Sequence, residues 1–338
     1  MLSQHGVSSP VQAVVSLSCL WGENEARQTA SRRSLEINSS LRLPDQLVNN
    51  LQAIIGIVAV LLISALLAWA GSQGSVSYSG LPLFALCAAV GFVLNWLAFV
   101  PAYLAQTERF FDLTGSASYI ATVSLALTLN SQLSDRGLIL AVLIMVWALR
   151  LGIFLFRRIH KVGKDKRFDN IKTSFWGFLF SWTLNGAWVF ITSAAALAAM
   201  TSMSFRPLGL WMLVGLMLWI TGFTIETVAD RQKTRFRQQP ENRGKFITSG
   251  LWSRSRHPNY FGEILLWIGI AVIAFPVLVS WQAATLVAPL FVIFLVTCVS
   301  GIPMLEKDAE ERWGNDPDYQ NYKRRTPVLV PKLLSGVH

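Results

Sequence analysis

A run of ten residues, 254–263, concentrates side chains that could do chemistry. It reads Arg-Ser-Arg-His-Pro-Asn-Tyr-Phe-Gly-Glu and supplies two guanidiniums, an imidazole, an amide, a phenol and a carboxylate. The chain then continues without a break into the apolar residues 264–274, which have the character of a membrane-embedded helix. Polar groups at the mouth of a spanning helix are costly unless they bind something. We therefore expect this run to line a binding site that reaches into a membrane.

The groups in this run suit a ligand that carries phosphates and hydroxyl or amide groups. The guanidiniums of Arg254 and Arg256 can clamp phosphates. His257 and Asn259 can donate hydrogen bonds to ribose or amide oxygens, and Glu263 can accept one. Asn259 and Glu263 are four residues apart, so a helix places them on the same face.

A second polar cluster ends an apolar segment at residues 225–237. Its charged residues follow the spacing i, i+4, i+7 and i+11, which stacks them along one side of a helix: Glu226, Asp230, Lys233 and Arg237. The acids come first and the bases later, which suits hydroxyls or an amide deep in a site and phosphates nearer the cytosol. The alternative is a solvated helix end with acid–base pairs, although Glu226 lies too deep for ordinary solvation.

A third cluster covers residues 303–314 and continues through 319–327. It is rich in charge and contains Glu306 and Arg324. It could close the same site from the cytosolic side. The alternative is an amphipathic tail that lies on the bilayer surface.

Composition indicates which kind of fold must position these clusters. Of the 338 residues, 53% are hydrophobic and only 14% are charged, and the mean hydropathy is +0.45. Soluble domains carry about 25% charged residues. Apolar segments of spanning length recur near 50–70, 81–105, 115–131, 137–156, 174–200, 207–228, 261–275 and 281–303. We predict an all-α, polytopic transmembrane bundle of about seven or eight spanning helices.

The net charge of +10 could indicate nucleic-acid binding, but its distribution argues against that. Lysine and arginine gather in the ranges 157–172, 231–256 and 307–332, whereas the alternate connections contain only Arg136 and Arg206 as basic residues. This asymmetry predicts that the charged loops and both termini are cytoplasmic. The expected surroundings are the lipid bilayer and a hydrophobic, lipid-like substrate, with no nucleic acid.

The chain divides by composition into three parts. Residues 1–46 are polar and predict a flexible cytosolic tail, residues 47–305 form the multi-pass transmembrane domain, and residues 306–338 form a cytosolic C-terminal tail that closes the site. The cysteines Cys19, Cys87 and Cys298 are widely spaced. They show neither a metal-binding spacing nor a disulfide framework.

The three clusters together carry a resemblance to a known family. They contain Glu226-x-x-x-Asp230, then Arg256-His257-Pro258-Asn259-Tyr260-x-Gly262-Glu263, then Leu305-Glu306 to Trp313-Gly314 and Tyr322 to Pro327. This pattern resembles the steroid 5α-reductase C-terminal superfamily, and within it the DUF1295 branch, over about residues 105–330. In steroid and sterol reductases these segments form an NADPH site inside the membrane. The resemblance therefore implies NADPH as the cofactor.

Carried over by position, the resemblance assigns roles to individual residues. Glu226 and Asp230 fall where the reductases have an Asn and an Asp that contact the cofactor, and Asn259 and Glu263 match an Asn and a Glu. This chain has Glu226 where the reductases have the Asn, so it departs from them at the residue expected to contact the nicotinamide. The full expected cofactor set is Glu226, Asp230, Lys233, Arg235, Arg237, Arg254, Arg256, His257, Asn259, Tyr260, Glu263, Glu306 and Arg324.

The chain also departs from the steroid reductases at the position of their catalytic residue. Trp147, three residues before Arg150, stands where steroid reductases have a Tyr that polarises the substrate carbonyl. The polar residues that could replace that Tyr are Glu108, Asp112 and Arg150. An arginine inside an apolar run needs a partner, and we expect Asp112 to pair with Arg150. The alternative is a buried ion pair that is only structural.

Two classes of enzyme fit these residues. The first is an NADPH-dependent reductase of an enone or alkene in a lipid. The second is a methyltransferase that uses S-adenosylmethionine, since isoprenylcysteine carboxyl methyltransferases share the Arg-His-Pro-x-Tyr element. Asn259 and Glu263 after the His-Pro, and the Glu226/Asp230 pair before it, favour the reductase. A membrane protein that kept the fold and lost the chemistry is a third interpretation.

Overall fold

The computed structural model describes residues 45–162, 168–169, 171–299 and 301–332. The predicted tail at 1–46 lies almost entirely outside the described residues. The α-helices in these ranges are α1 (Asp45–Gly71), α2 (Leu83–Leu104), α3 (Phe111–Leu129), α4 (Asp135–Val162), α5 (Phe175–Thr201), α6 (Leu210–Gln238), α7 (Pro258–Ala274), α8 (Val287–Phe294), α9 (Ile302–Trp313) and α10 (Pro317–Arg325). The short strands β1 (Ser77–Tyr78) and β2 (Leu81–Pro82) form a hairpin between α1 and α2.

Helix α5 is the centre of the bundle. It begins at Ser174, whose side-chain oxygen accepts a hydrogen bond from the Gly177 backbone N–H at 3.2 Å and so caps the first turn. Its residues from 180 to 201 are buried without interruption. Helices α1, α2, α3, α4, α7 and α8 all pack against it. A helix that is apolar on every side fits this central position.

Seven segments of the described chain are long and apolar enough to cross a membrane. The predicted all-α, polytopic transmembrane fold is confirmed. The segment predicted near 115–131 forms α3 but is not among the seven, and it buries the polar side chains of Ser116, Ser118 and Thr122 inside the bundle. The segment predicted near 281–303 is not one regular helix, because 3₁₀ turns precede α8 and a π-helical turn follows it.

Helices α6 and α7 pack backbone to backbone through paired glycines. A Cβ atom added to Gly222 would lie 2.5 Å from the Gly262 carbonyl oxygen, and one added to Gly262 would lie 2.6 Å from the Glu226 backbone nitrogen. The same relationship repeats between Gly215 and Gly269. Small residues allow this close approach inside a membrane, where packing drives helix association. The polar ends of α6 and α7 are consequently held against each other.

Candidate functional site

A guanidinium bridges two carboxylates where α4 meets α6. Arg150 donates from Nη1 to Glu226 Oε1 and from Nη2 to Asp230 Oδ2. Trp147 Nε1, one turn earlier on α4, donates to Glu226 Oε2 at 3.1 Å. Both carboxylates are buried. The spacing of Glu226 and Asp230 along α6, read from the sequence, therefore puts both acids on the face that meets Arg150.

The expected partner of Arg150 was wrong. Its ion pairs are with the two acids of α6, and Asp112 lies instead in the first turn of α3. The second predicted catalytic acid, Glu108, is buried and pairs with Lys172 Nζ at 3.1 Å. Each terminal nitrogen of Arg150 donates to one of the two acids, which lie one turn apart on α6. Spacing along the chain does not show which of these carboxylates pairs with Arg150.

Helix α7 supplies the facing wall. Asn259 and Glu263 are both buried on α7, and Glu263 lies near enough to Glu226 and Asp230 for their charges to act on it. Tyr260 is also buried, and its ring is stacked on that of His257 with centroids 5.9 Å apart. The polar ends of α6 and α7 thus enclose one buried cluster of acids and an amide.

An imidazole, a guanidinium and a carboxylate meet at the entrance to α7. His257 Nε2 lies 2.7 Å from Glu306 Oε1, and Arg256 Nη2 lies 3.1 Å from Glu306 Oε2. Burial lowers the pKa of His257, and the neighbouring Glu306 offsets this only in part. The neutral ring then carries its proton on Nε2 and donates it to the carboxylate. Helix α9, which carries Glu306, is thereby tied to the start of α7.

The end of the described chain runs beside the loop that precedes α7. The backbone N–H of Arg256 donates to the Pro327 carbonyl at 2.9 Å, and that of His257 donates to the Val328 carbonyl at 3.1 Å. The Lys332 N–H donates to the Arg254 carbonyl at 3.1 Å. These bonds hold residues 327–332 against the loop at the entrance to the cluster.

The predicted basic residues divide into two groups. Lys233 lies over the Trp252 ring, with its Nζ 4.4 Å from the ring centroid, and is drawn to the cluster by a cation–π contact. Four others lie exposed on the surface and are not brought into the buried cluster: Arg235, Arg237, Arg254 and Arg324. Arg235 and Arg237 lie on α6, Arg324 lies on α10 and Arg254 lies in the loop before α7. Neither the spacing nor the resemblance specifies which way a long basic side chain turns.

Several buried polar atoms of the cluster have no hydrogen-bond partner within the described ranges. They are Asp230 Oδ1, Arg256 Nε and Nη1, His257 Nδ1, Asn259 Oδ1 and Glu263 Oε1. Buried polar groups are normally hydrogen-bonded, and each exception needs an explanation. The guanidinium donors of Arg256 lie just before α7, and the amide and carboxyl oxygens of Asn259 and Glu263 lie further along that helix. This arrangement fits a ligand that is anionic at one end and carries a carboxamide at the other.

Sequence reasoning did not select Tyr119, which lies on α3 between these residues and the core. Its side chain is fully buried, and its hydroxyl is hydrogen-bonded to Thr192 Oγ1. Glu263 lies near enough for its charge to act on the Tyr119 hydroxyl. A tyrosine in an apolar segment is ordinary, so only its tertiary neighbours distinguish it. No pattern along the chain would have found it.

Comparison with known proteins decides the family. A family model described as "Protein of unknown function (DUF1295)" matches residues 98–326. The chain belongs to the DUF1295 family. The matched range contains all the predicted catalytic and cofactor-binding residues, from Glu108 to Arg324, and it confirms the resemblance read from the motifs.

Curated relatives of this DUF1295 protein cover only part of it. Steroid 5-alpha-reductase DET2 of Gossypium hirsutum is 28% identical over 119 residues, which is 35% of this chain and 41% of that protein. The DET2 protein of Arabidopsis thaliana is 28% identical over 120 residues, which is 35% of this chain and 40% of that protein. The 3-oxo-5-alpha-steroid 4-dehydrogenase 1 of Rattus norvegicus is 25% identical over 122 residues, which is 36% of this chain and 42% of that protein. The chain thus spans about two-fifths of their length. No solved structure matches it.

Proposed function

We propose that this protein is an integral membrane reductase that uses NADPH to reduce a carbon–carbon double bond conjugated to a carbonyl in an apolar, steroid-like lipid. The observation that carries the proposal is the set of unpartnered buried atoms on Arg256, Asn259 and Glu263 at the junction of α6 and α7. The steroid reductase relatives support the reductase class and do not favour the methyltransferase alternative.

The residues of the cluster fit the cofactor in a definite order. Asn259 Oδ1 and Glu263 Oε1 offer acceptors to a carboxamide N–H₂ group. Arg256 and Lys233 offer positive charge to phosphates nearer the cytosol. When bound, NADPH supplies a hydride; the chain's part is to orient the nicotinamide and exclude water.

The C-terminal segment belongs to the same proposal. Residues 327–332 are bonded to the loop before α7, and Glu306 is bonded to Arg256 and His257. We infer that residues 306–332 close the cofactor site from the cytosol; the rest of the predicted closing tail, 333–338, lies outside the described residues. Arg150 is proposed to hold the two acids of α6 in place beside the reacting centre, and Asp112 and Glu108 remain candidate catalytic acids at the start of α3.

Isotope transfer tests this function. The purified protein, reconstituted in lipid vesicles, is supplied with NADPH deuterated at nicotinamide C4 and with a 3-keto-4-ene steroid. Mass spectrometry is expected to find saturated ketone that carries one deuterium. Glu263→Gln should lose this product at least tenfold, whereas Glu311→Gln, on the exposed face of α9, should not. If none of a series of conjugated ketones gains deuterium, the reductase proposal is refuted. The alternative that then remains is a membrane protein that kept the fold and lost the chemistry.

A further inference from the structure

Helix α6 has a second stripe of side chains, on the side opposite to its buried acids. Residues three or four apart along a helix share a face, and at 3.6 residues per turn this stripe lies about 180° around the helix from Glu226 and Asp230. Its side chains are all exposed: Leu210, Leu213, Met217, Ile220, Thr224 and Val228. Because α6 is one of the segments long and apolar enough to cross a membrane, this exposed stripe faces the bilayer.

The lipid-facing stripe continues into two arginines. Arg231 follows Val228 by three residues and Arg235 follows Arg231 by four, so both stay on the same side of α6. Both side chains are exposed, and neither guanidinium has a hydrogen-bond or ion-pair partner among the residues that the structure describes. The stripe contains no acid. Two uncompensated positive charges are therefore directed toward the bilayer and away from the buried acid cluster.

The length of the stripe places the two arginines at the depth of lipid headgroups. Leu210 and Val228 are eighteen residues apart, which at 1.5 Å per residue is about 27 Å. The hydrocarbon core of a bilayer is about 30 Å thick, and the headgroup layers bring the total to about 40–45 Å. Arg231 lies about 5 Å beyond Val228 and Arg235 about 11 Å beyond it. Long arginine side chains bend toward this interface, so both guanidiniums can reach headgroup phosphates.

An apolar groove between α6 and α7 opens on the same side, deeper in the membrane. Its volume is about 360 Å³, and it is lined by Leu213, Val214, Met217, Leu218, Thr221 and Leu265. Thr221, at the end of the groove nearest to the arginines, is ten residues before Arg231. That separation is about 15 Å along the helix, which is the hydrocarbon thickness of one leaflet. A lipid with its phosphate at Arg231 would therefore have the end of an acyl chain in the groove.

We propose that this side of α6 is a binding site for an anionic phospholipid, with Arg231 and Arg235 on the headgroup and an acyl chain in the groove. Guanidiniums bind phosphate oxygens through paired N–H donors. A basic residue at this depth contributes about fivefold in affinity for an anionic lipid. Two positive charges favour a headgroup of net negative charge over phosphatidylcholine, whose choline they repel. The site does not depend on the proposed reductase function.

Lipid titration followed by native mass spectrometry tests the headgroup site. Delipidated full-length protein in detergent is titrated with dioleoyl phosphatidylglycerol and with dioleoyl phosphatidylcholine. The wild type should bind the anionic lipid about tenfold to thirtyfold more tightly, and Arg231→Gln/Arg235→Gln should lose that preference. Arg243→Gln/Lys245→Gln is the matched control. It also removes two exposed charges, but from the loop that is bonded to α9 through the Gly244 carbonyl, and it should keep the preference.

Photolabelling of the wild type tests the position of the chain without any substitution. Phosphatidylglycerol with a diazirine near the end of one acyl chain should label the peptides that contain Met217–Thr221 or Leu265, and unlabelled phosphatidylglycerol should compete.

Three results would overturn the site. The first is equal affinity of the wild type for the two lipids, or a preference that survives in Arg231→Gln/Arg235→Gln. The second is an equal loss in the control variant, which would indicate only general surface charge. The third is displacement of the lipid by millimolar glycerol phosphate, which would indicate a site for soluble anions. Labels that map only to other helices would overturn the placement of the chain in the groove.

Discussion

Gly262 and Glu226 lie backbone against backbone, and a Cβ atom at Gly262 would be 2.6 Å from the Glu226 nitrogen. The same contact fixes the height of the Glu226 carboxylate relative to Asn259 and Glu263 on α7. The geometry of the candidate site therefore depends on glycine at a position that performs no chemistry.

Gly262→Ala should separate α6 from α7 and disturb the cluster. Overpacking of this kind destabilises by about 1–3 kcal/mol, so the melting temperature should fall and NADPH should protect less. Gly91→Ala on α2 is the matched control, because its Cβ would meet only Thr122 Cγ2 at 3.7 Å. That change should be neutral or slightly stabilising, since alanine favours helix. Equal effects of the two substitutions would contradict the close-packing account.

Removing Arg150 should lower the melting temperature, because its two acid partners are buried. Arg150→Met leaves Glu226 and Asp230 without a counter-charge, and breaking a buried pair costs about 3–5 kcal/mol. The triple variant Arg150→Met/Glu226→Gln/Asp230→Asn should regain most of the lost melting temperature. Arg157→Met, at an exposed position further along α4, is the control and should change little. If the triple variant melts at as low a temperature as Arg150→Met, the ion pairs of Arg150 do not account for the stability of the α4–α6 contact.

Stability should fall in mild acid because of His257. Burial lowers its folded-state pKa below that of the unfolded chain, which is about 6.5. The unfolded state then binds more protons, so the stabilisation is present above about pH 6.5 and is lost as pH falls through the folded pKa. The melting temperature of His257→Asn should therefore vary less than that of the wild type between about pH 7.5 and about pH 5. Identical slopes for the two proteins would argue against a neutral, buried imidazole.

The charge asymmetry predicts the orientation of the chain. Single cysteines at Arg243 and Lys332 should react with an impermeant maleimide from the cytosolic side, and one at Ser204 should react from the opposite side. The background for this test lacks Cys19, Cys87 and Cys298. A reaction of the Arg243 and Ser204 positions from the same side would contradict the predicted topology. The further basic position Lys164 lies outside the described residues.

Local periodicity predicted most of the fold and the helix faces on which the acids and the amide of the candidate site lie. The apolar segments corresponded to helices, and the four-residue spacings of Glu226 with Asp230 and of Asn259 with Glu263 placed each pair on one buried face. Such spacings are properties of a single helix, so the sequence contains them. The partners of Arg150 lie 76 and 80 residues away, and no local pattern encodes which buried acid reaches it.

The exposure of several predicted arginines could not be predicted for a related reason. Arg235, Arg254 and Arg324 were selected because phosphate sites need positive charge, yet each side chain lies on the surface. A long basic side chain extends toward the local solvent, whether it lies on a helix, as Arg235 and Arg324 do, or in a loop, as Arg254 does. Arg256, two residues from Arg254, is turned inward because Glu306 holds it. Its partner lies on α9, and only the tertiary fold brings the two together.

The proposed function requires that the cluster at the α6–α7 junction binds NADPH. The most direct measurement is the melting temperature of the detergent-purified protein with NADPH, with S-adenosylmethionine and with neither. At one hundred times its dissociation constant, a ligand of the native state adds about 2.7 kcal/mol of stability, so NADPH should raise the melting temperature. Glu263→Gln should reduce that shift, and Glu311→Gln should leave it intact. Stabilisation by S-adenosylmethionine with none by NADPH would contradict the reductase account.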